Sequence, residues 1–149
     1  MSRANLFLDS SALFAGVVSP SGAARALLLL AEAGAITITI SEQVIAETER
    51  AIARKAPRAL PYYREAVRRV GVRIVHDPSI EEVQAHRHII SHPADVPIVL
   101  AAMKARADYL VTLNRRHFID DPEVAARSGL HIGTPGDALA WVRAQLSAS

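Results

Sequence analysis

The sequence predicts an α/β protein in three layers, with a central, mostly parallel five-stranded sheet flanked by helices and residues 1–149 forming a single domain. Three observations predict it. Short β-branched or apolar runs alternate with helical runs from end to end, the order that gives parallel strands covered on both faces. No repeat, long linker or shift of composition divides the 149 residues, a common length for one domain. Half of the residues are hydrophobic and 21% are charged, which suits a self-sufficient core and excludes a disordered chain.

Residues 5–8 (Asn-Leu-Phe-Leu) are a short apolar run closed by Asp9 and read as a buried strand. After Pro20 and Gly22, residues 23–33 are rich in Ala and Leu and predict a helix stopped by Gly34. Residues 36–40 (Ile-Thr-Ile-Thr-Ile) are β-branched throughout, the clearest strand in the chain. Ser41 caps a helix running to Lys55, with Glu42 in its first turn, and a further helix over 60–70 closes at Gly71. Residues 72–75 give a third strand, and Ser79 with Glu82 makes a capping box for the next helix. Asp95 heads a helix over 96–107 that tolerates Pro97 in its first turn. Residues 109–112 predict a fourth strand, 122–128 a short helix, 131–133 a last strand, and Thr134-Pro135 with Asp137 the start of a terminal helix. Leu27 to Leu30 and Trp141 are expected in the core.

Composition narrows the chemistry. With no cysteine, disulfides, thiolate metal sites and cysteine nucleophiles are excluded. The longest apolar run, residues 26–31, is far too short to cross a bilayer, and Asp9 interrupts the stretch a signal sequence would need. A soluble cytoplasmic protein with no membrane partner is expected. The net charge of +2, with 15 Arg against 2 Lys, permits nucleic-acid binding without requiring it.

In an open parallel sheet, ligands bind beyond the carboxyl ends of the strands, where the strand order reverses. Asp9 ends the first strand with Ser10 and Ser11 behind it, and Thr112 and Asn114 end the fourth. Asp95 leads the helix into that strand, and Glu47 lies in the helix after the second. Carboxylates gathered at one edge repel unless a cation neutralises them, and oxygen-only ligation suits Mg2+ or Mn2+. Each residue also has a plainer use: Asp9 in a turn, Asp95 as an N-cap, and Asn114-Arg115-Arg116-His117 as a surface turn. Glu47 and Glu49 flank the same apolar stripe, so helical spacing does not choose between them. His88 and His92 are four apart, but Ser91 and Pro93 interrupt the helix, so no zinc site is expected there.

Taken together, these segments resemble the PIN domain family. Residues 6–11 (Leu-Phe-Leu-Asp-Ser-Ser) resemble its opening strand, and residues 41–47, ending in Glu47, resemble the segment with its second acid. Asp95-Val96-Pro97-Ile98 is similar to the segment with the third, and residues 107–114 followed by His117-Phe118 to the strand and turn with the fourth. The likeness spans the chain in order and extends to the VapC-like toxins of bacterial toxin–antitoxin modules. It implies a metal-dependent endoribonuclease in which Asp9, Glu47 and Asp95 position Mg2+ or Mn2+ to activate water for phosphodiester hydrolysis. It further implies that Thr112 and Asn114 assist at the reacting centre and that Ser10, Arg115, Arg116 and His117 contact the RNA. A cognate antitoxin protein and a homodimer complete what the resemblance implies. The sequence departs from the family at Asn114, where an acid is usual; an amide oxygen still accepts or ligates but brings no charge, which weakens a second metal position. Asp120 and Asp121 are the nearest substitutes. Two alternatives stay open at this level: a catalytically weakened PIN-like module that binds RNA or protein, and a receiver-like phosphotransfer domain.

Overall fold

The first strand of the chain is the middle strand of the sheet, and that placement organises the rest. In a computed structural model, which describes residues 3–148, β1 (Ala4–Leu8) lies between β2 (Ile36–Ser41) and β4 (Tyr109–Val111). β3 (Arg73–Val75) extends the sheet beyond β2, and β5 (His131–Gly133) extends it beyond β4. The order is β3-β2-β1-β4-β5, and every pairing is parallel. Leu6, Phe7 and Leu8 are fully buried, as a central parallel strand covered on both faces requires. A receiver-like fold has the order 2-1-3-4-5, so this topology removes that alternative.

Helices cover the sheet in two groups. α1 (Ser10–Val18), α2 (Ala23–Glu32), α3 (Glu42–Lys55), α4 (Leu60–Val70) and α8 (Pro135–Ala148) pack among themselves, while α5 (Ile80–Ala85), α6 (Val96–Lys104) and α7 (Glu123–Ser128) form the other group. Their ends follow the local chemistry of the sequence. Ser79 and Glu82 form the reciprocal capping box of α5. Thr134 and Asp137 exchange backbone-to-side-chain bonds of 3.1 and 3.2 Å at the start of α8. Gly71, at φ 69°, takes the left-handed turn that closes α4.

Two segments differ from the sequence reading. Residues 10–18, which periodicity leaves unassigned, form α1, because Asp9 caps the helix and its buried face packs tightly. Gly16 permits that packing: a Cβ there would lie 2.8 Å from Leu28 Cδ1 and 3.2 Å from the Ala24 carbonyl. The helix expected over 96–107 stops at Lys104, since Arg106 turns left-handed at φ 55° to lead into β4. Leu27 and Leu28 are in the core, whereas Leu29 is 55% exposed; Trp141 is half-buried against Tyr109. No single helix among the described residues is long and apolar enough to cross a membrane; α1 and α2, apolar enough together, meet at 85°.

Candidate active site

The strand order reverses between β1 and β4, and the residues that follow those two strands touch. Leu8 pairs with Val111, and the Asp9 N–H donates to the Val111 carbonyl at 3.1 Å. The next residues along are therefore Asp9 and Thr112, side by side at the carboxyl edge. Asp9 Oδ1 accepts from the Ala12 N–H at 2.9 Å and the Ser11 hydroxyl at 2.7 Å, and Oδ2 accepts from the Thr112 hydroxyl. Both hydroxyls are oriented from behind: Ser11 Oγ accepts from the Leu113 N–H and Thr112 Oγ1 from the Asn114 N–H, each at 2.9 Å. Their protons are thus committed to Asp9.

Burial pushes the Asp9 carboxyl above its ordinary pKa; the bonds from Thr112, Ser11 and Ala12 oppose this, and the charge of Asp95 adds to it. Asp9 is a carboxylate short of a counter-charge. Thr112→Val tests the support. It removes one donor from Asp9 and the acceptor of the Asn114 N–H, and should lower stability by about 1–3 kcal/mol in chemical denaturation.

Asp95 arrives from the opposite side. It ends the tight turn Pro93–Asp95 and heads α6 without capping it by a side-chain bond. Its Oδ2 instead lies 2.8 Å from His117 Nδ1. His117 belongs to a π-helical turn, Arg115–Ile119, capped by the Asn114 side chain, whose Oδ1 accepts from the His117 N–H at 3.2 Å. The Asn114 amide nitrogen is also 3.0 Å from His117 Nδ1. One ring nitrogen cannot donate to Asp95 and accept from Asn114 together; the carboxylate, the stronger acceptor, selects Nδ1–H.

Glu47, the third predicted acid, is not gathered with the other two: the one group of His, Asp and Glu ligand atoms lying within 4.8 Å of one another among the described residues contains Asp95 but neither Asp9 nor Glu47. It faces a groove between α1 and α3 lined by Ser10, Ser11, Phe14 and Leu113, with a volume of about 720 Å³. Gln43, one turn earlier on α3, places its amide nitrogen 3.4 Å from Glu47 Oε2 and 3.1 Å from the Ala94 carbonyl, joining this helix to the turn that carries Asp95. Glu49 instead sits by Tyr63, whose hydroxyl is pushed up to about 12 by burial first and by Glu49 second. The structure thus distinguishes two glutamates that helical spacing left equivalent. Arg50, Arg54 and Lys55 continue along the groove, and Lys55 Nζ lies 5.5 Å from the Phe14 ring centre.

The residues predicted to meet RNA divide. Ser10 lies in the groove beside Glu47, and Arg116 lines a cleft with His117, Ser91, His92 and Asp121. Arg115 opens onto another hollow with Ser21, Thr134 and Gly136. There it adds to the bonds from Thr134, the larger cause, that hold the Asp137 carboxyl below its usual range. Asp120 is exposed, and Asp121 Oδ1 accepts from the Glu123 N–H near the start of α7. Asp108 accepts from the Asn5 N–H, at the far end of β1. Gln43 and the Arg50–Arg54–Lys55 row were missed by the sequence reading, which placed Ser11 behind Asp9 without a role and weighed His92 only as a partner of His88. Only the row carried a signal, cations on one face of α3 beginning one turn after Glu47.

The fold and site together define an α/β protein with Asp9 and Asp95 near the switch point of a parallel sheet. A family model described as PIN domain matches residues 5–116, most of the chain. The chain belongs to the PIN domain family. It is similar in structure to the PAE2754 protein of Pyrobaculum aerophilum, with a TM-score of 0.58 and 19% identity, covering 95% of this chain and 96% of that one. It is also similar to VapBC2 of Rickettsia felis, solved bound to a DNA fragment from the promoter, with a TM-score of 0.61 and 20% identity over 87% and 98% of the two chains. At these identities the likeness is one of fold. No curated protein sequence matches the chain.

Proposed function

We propose that this chain is a Mg2+- or Mn2+-dependent endoribonuclease, the toxin of a bacterial toxin–antitoxin pair. One observation supports the reading: the buried Asp9 carboxyl feels the charge of Asp95 at the switch point, Glu47 faces the adjoining groove beside Ser10 and Ser11, and none of the three pairs with Arg or Lys among the described residues. An oxygen-only donor set that includes a buried, desolvated carboxylate fits a hard divalent cation. Asp9, Glu47 and Asp95 are the residues that would hold it. Bound there, such an ion supplies Lewis acidity for phosphodiester hydrolysis.

The chain's own residues do the rest. Thr112 and Ser11 fix the Asp9 carboxylate so that it needs no rearrangement when substrate arrives. Asn114 orients water beside these acids, standing where a fourth acid is usual. Ser10 and Arg116 meet phosphate oxygens on the two sides of the acids, His117 contacts the backbone beside Asp95, and Arg115 binds the strand further along. Phosphate contacts of this kind make binding fall with salt. The cationic row on α3 gives the RNA a continuing path. The partners proposed with this activity are a cognate antitoxin protein, for which the likeness to VapBC2 is the support, and a second copy of the chain.

Cleavage of a structured RNA in Mg2+, in Mn2+ and in EDTA tests the proposal. Wild type should cut only with metal, and Asp95→Asn should cut at least about 100-fold more slowly, consistent with a cation contributing several kcal/mol. Equal cleavage by the variant would reject the site. No cleavage by folded, partner-free wild type would reject the enzyme in favour of a binding module.

A further inference from the structure

A nitrogen-bearing cluster adjoins the acids and is not explained by them. His92, Asp95 and His117 each offer a ligand atom, and these atoms all lie within 4.8 Å of one another. The imidazoles of His92 and His117 stack with ring centres 3.8 Å apart and planes 21° from parallel. Asp95 and His117 are mostly buried, with side chains 18% and 27% exposed, and the 2.8 Å bond between them fixes their positions. His92 is exposed, and neither of its ring nitrogens has a hydrogen-bond partner among the described residues. Its position is nevertheless set, because the turn Pro93–Asp95 follows directly and the Asp95 N–H donates to the His92 carbonyl at 3.0 Å.

We infer that His92, Asp95 and His117 form a binding site for a borderline transition-metal ion of the Zn2+ class, distinct in chemistry from the oxygen-only group of Asp9, Glu47 and Asp95. Two imidazoles and one carboxylate are the protein donors of open zinc sites, in which water or a substrate oxygen takes the remaining position. Mg2+ prefers oxygen and an octahedral shell rich in water, so it does not suit this set, whereas imidazole suits Zn2+, Co2+ and Ni2+. The fold supplies what such a site needs. His117 and Asp95 are held by neighbouring elements, and an ion replaces the proton that joins them. His92, being exposed, turns from its stacked orientation to direct a lone pair at the same point. The cleft is open to solvent on the side of Ser91, Arg116 and Asp121, which leaves an entry path and a position for the exogenous ligand. Asp95 is common to both groups, so an ion held by the histidines draws this carboxylate away from Asp9 and Glu47.

The test reads binding directly and uses no RNA, so it stands or falls apart from the ribonuclease reading. Metal-free protein is titrated with Co2+ while its visible d–d absorption is followed, and with Zn2+ while the imidazole resonances are followed by NMR. Wild type is expected to bind Co2+ saturably, to resist displacement by excess Mg2+, and to shift the resonances of His92 and His117 together with Zn2+. His92→Ala and His117→Ala should each weaken Co2+ binding at least tenfold, the lower end of what loss even of an outer-shell partner costs. His92→Ala changes an exposed side chain and keeps the test valid should His117→Ala misfold. Unchanged Co2+ affinity in folded His92→Ala would overturn the site. So would absent binding, or binding lost in Asp9→Asn but kept in both histidine variants, which would place the ion among the acids alone.

Discussion

Asp9→Asn should abolish metal-dependent cleavage and at the same time make the metal-free protein more resistant to heat near neutral pH. The loss of activity follows from the proposed ligand set: an amide in place of the carboxylate removes one of its three anionic ligands, and a drop of at least about 100-fold is expected. The gain in stability follows from burial. Asp9 is 6% exposed, and its carboxyl is raised chiefly by desolvation and further by Asp95. A carboxyl whose folded pKa exceeds its unfolded one binds its proton more tightly when folded. Folding is therefore favoured at low pH by this group. The advantage is lost as pH climbs from the unfolded value, 3.8, through the raised folded one. Asparagine carries no such cost. It also keeps the cap on α1, since its oxygen accepts from the Ala12 N–H and Asn and Asp are equivalent N-caps, while Thr112 can turn to accept from its amide. Thermal melts in EDTA should place the variant above wild type, by about 2–4 °C for each kcal/mol recovered in a domain of this size. Mg2+ should raise the wild-type midpoint and leave the variant's unmoved. A variant that melts below wild type in EDTA would show that the carboxylate, rather than a cap any acceptor can make, holds this edge together.

Phe118→Ala should be the most damaging single truncation near the site, at about 3–5 kcal/mol. Phe118 is 2% exposed and is the buried member of the π-helical turn that carries His117. A π-helical turn spaces its carbonyls and N–H groups less favourably than an α-helix, so its persistence depends on what anchors it. Here the anchors are the Asn114 cap and the Phe118 ring in the core. Removing the ring leaves a cavity and frees the turn, and His117 then leaves Asp95. Denaturation should show the loss of stability, and the His117 imidazole resonance should move toward that of a solvent-exposed histidine. Phe118→Leu, which keeps most of the volume, should cost much less and retain the His117–Asp95 contact. Equal effects of the two substitutions would mean that the core does not anchor the turn.

Much of this molecule is legible in its chain. The run at 36–40 can only be a buried strand, the Ser79–Glu82 and Thr134–Asp137 pairs mark helix starts by local hydrogen bonding, and Gly71 marks a helix end by its backbone freedom. These signals are readable because each is settled within a few residues. α1 was not, because Ser10-Ser11-Ala12-Leu13 has no strong helical preference of its own. The cap from Asp9 and the close packing that Gly16 allows against α2 make it helical. Arg106 ended α6 early for a similar reason, since the path into β4 decided its conformation.

The candidate site divides along the same line. Asp9, Thr112 and Asn114 could be singled out because strand ends are visible in sequence and parallel sheets bind ligands there. The chain alone thereby determined an α/β fold, its element order and a set of acids at the ends of elements. Only the tertiary structure decided that β1 is central and that Asp9 meets Thr112. It also turned Glu47 into the groove, a choice that helical spacing left open and the family resemblance had made, aimed Arg115 away toward Asp137 and brought His92 onto His117. The physical reason is one of range. Caps, turns and periodicity are fixed by neighbours in sequence, whereas strand order and side-chain convergence depend on which distant apolar faces pack together, a choice made by the whole core at once.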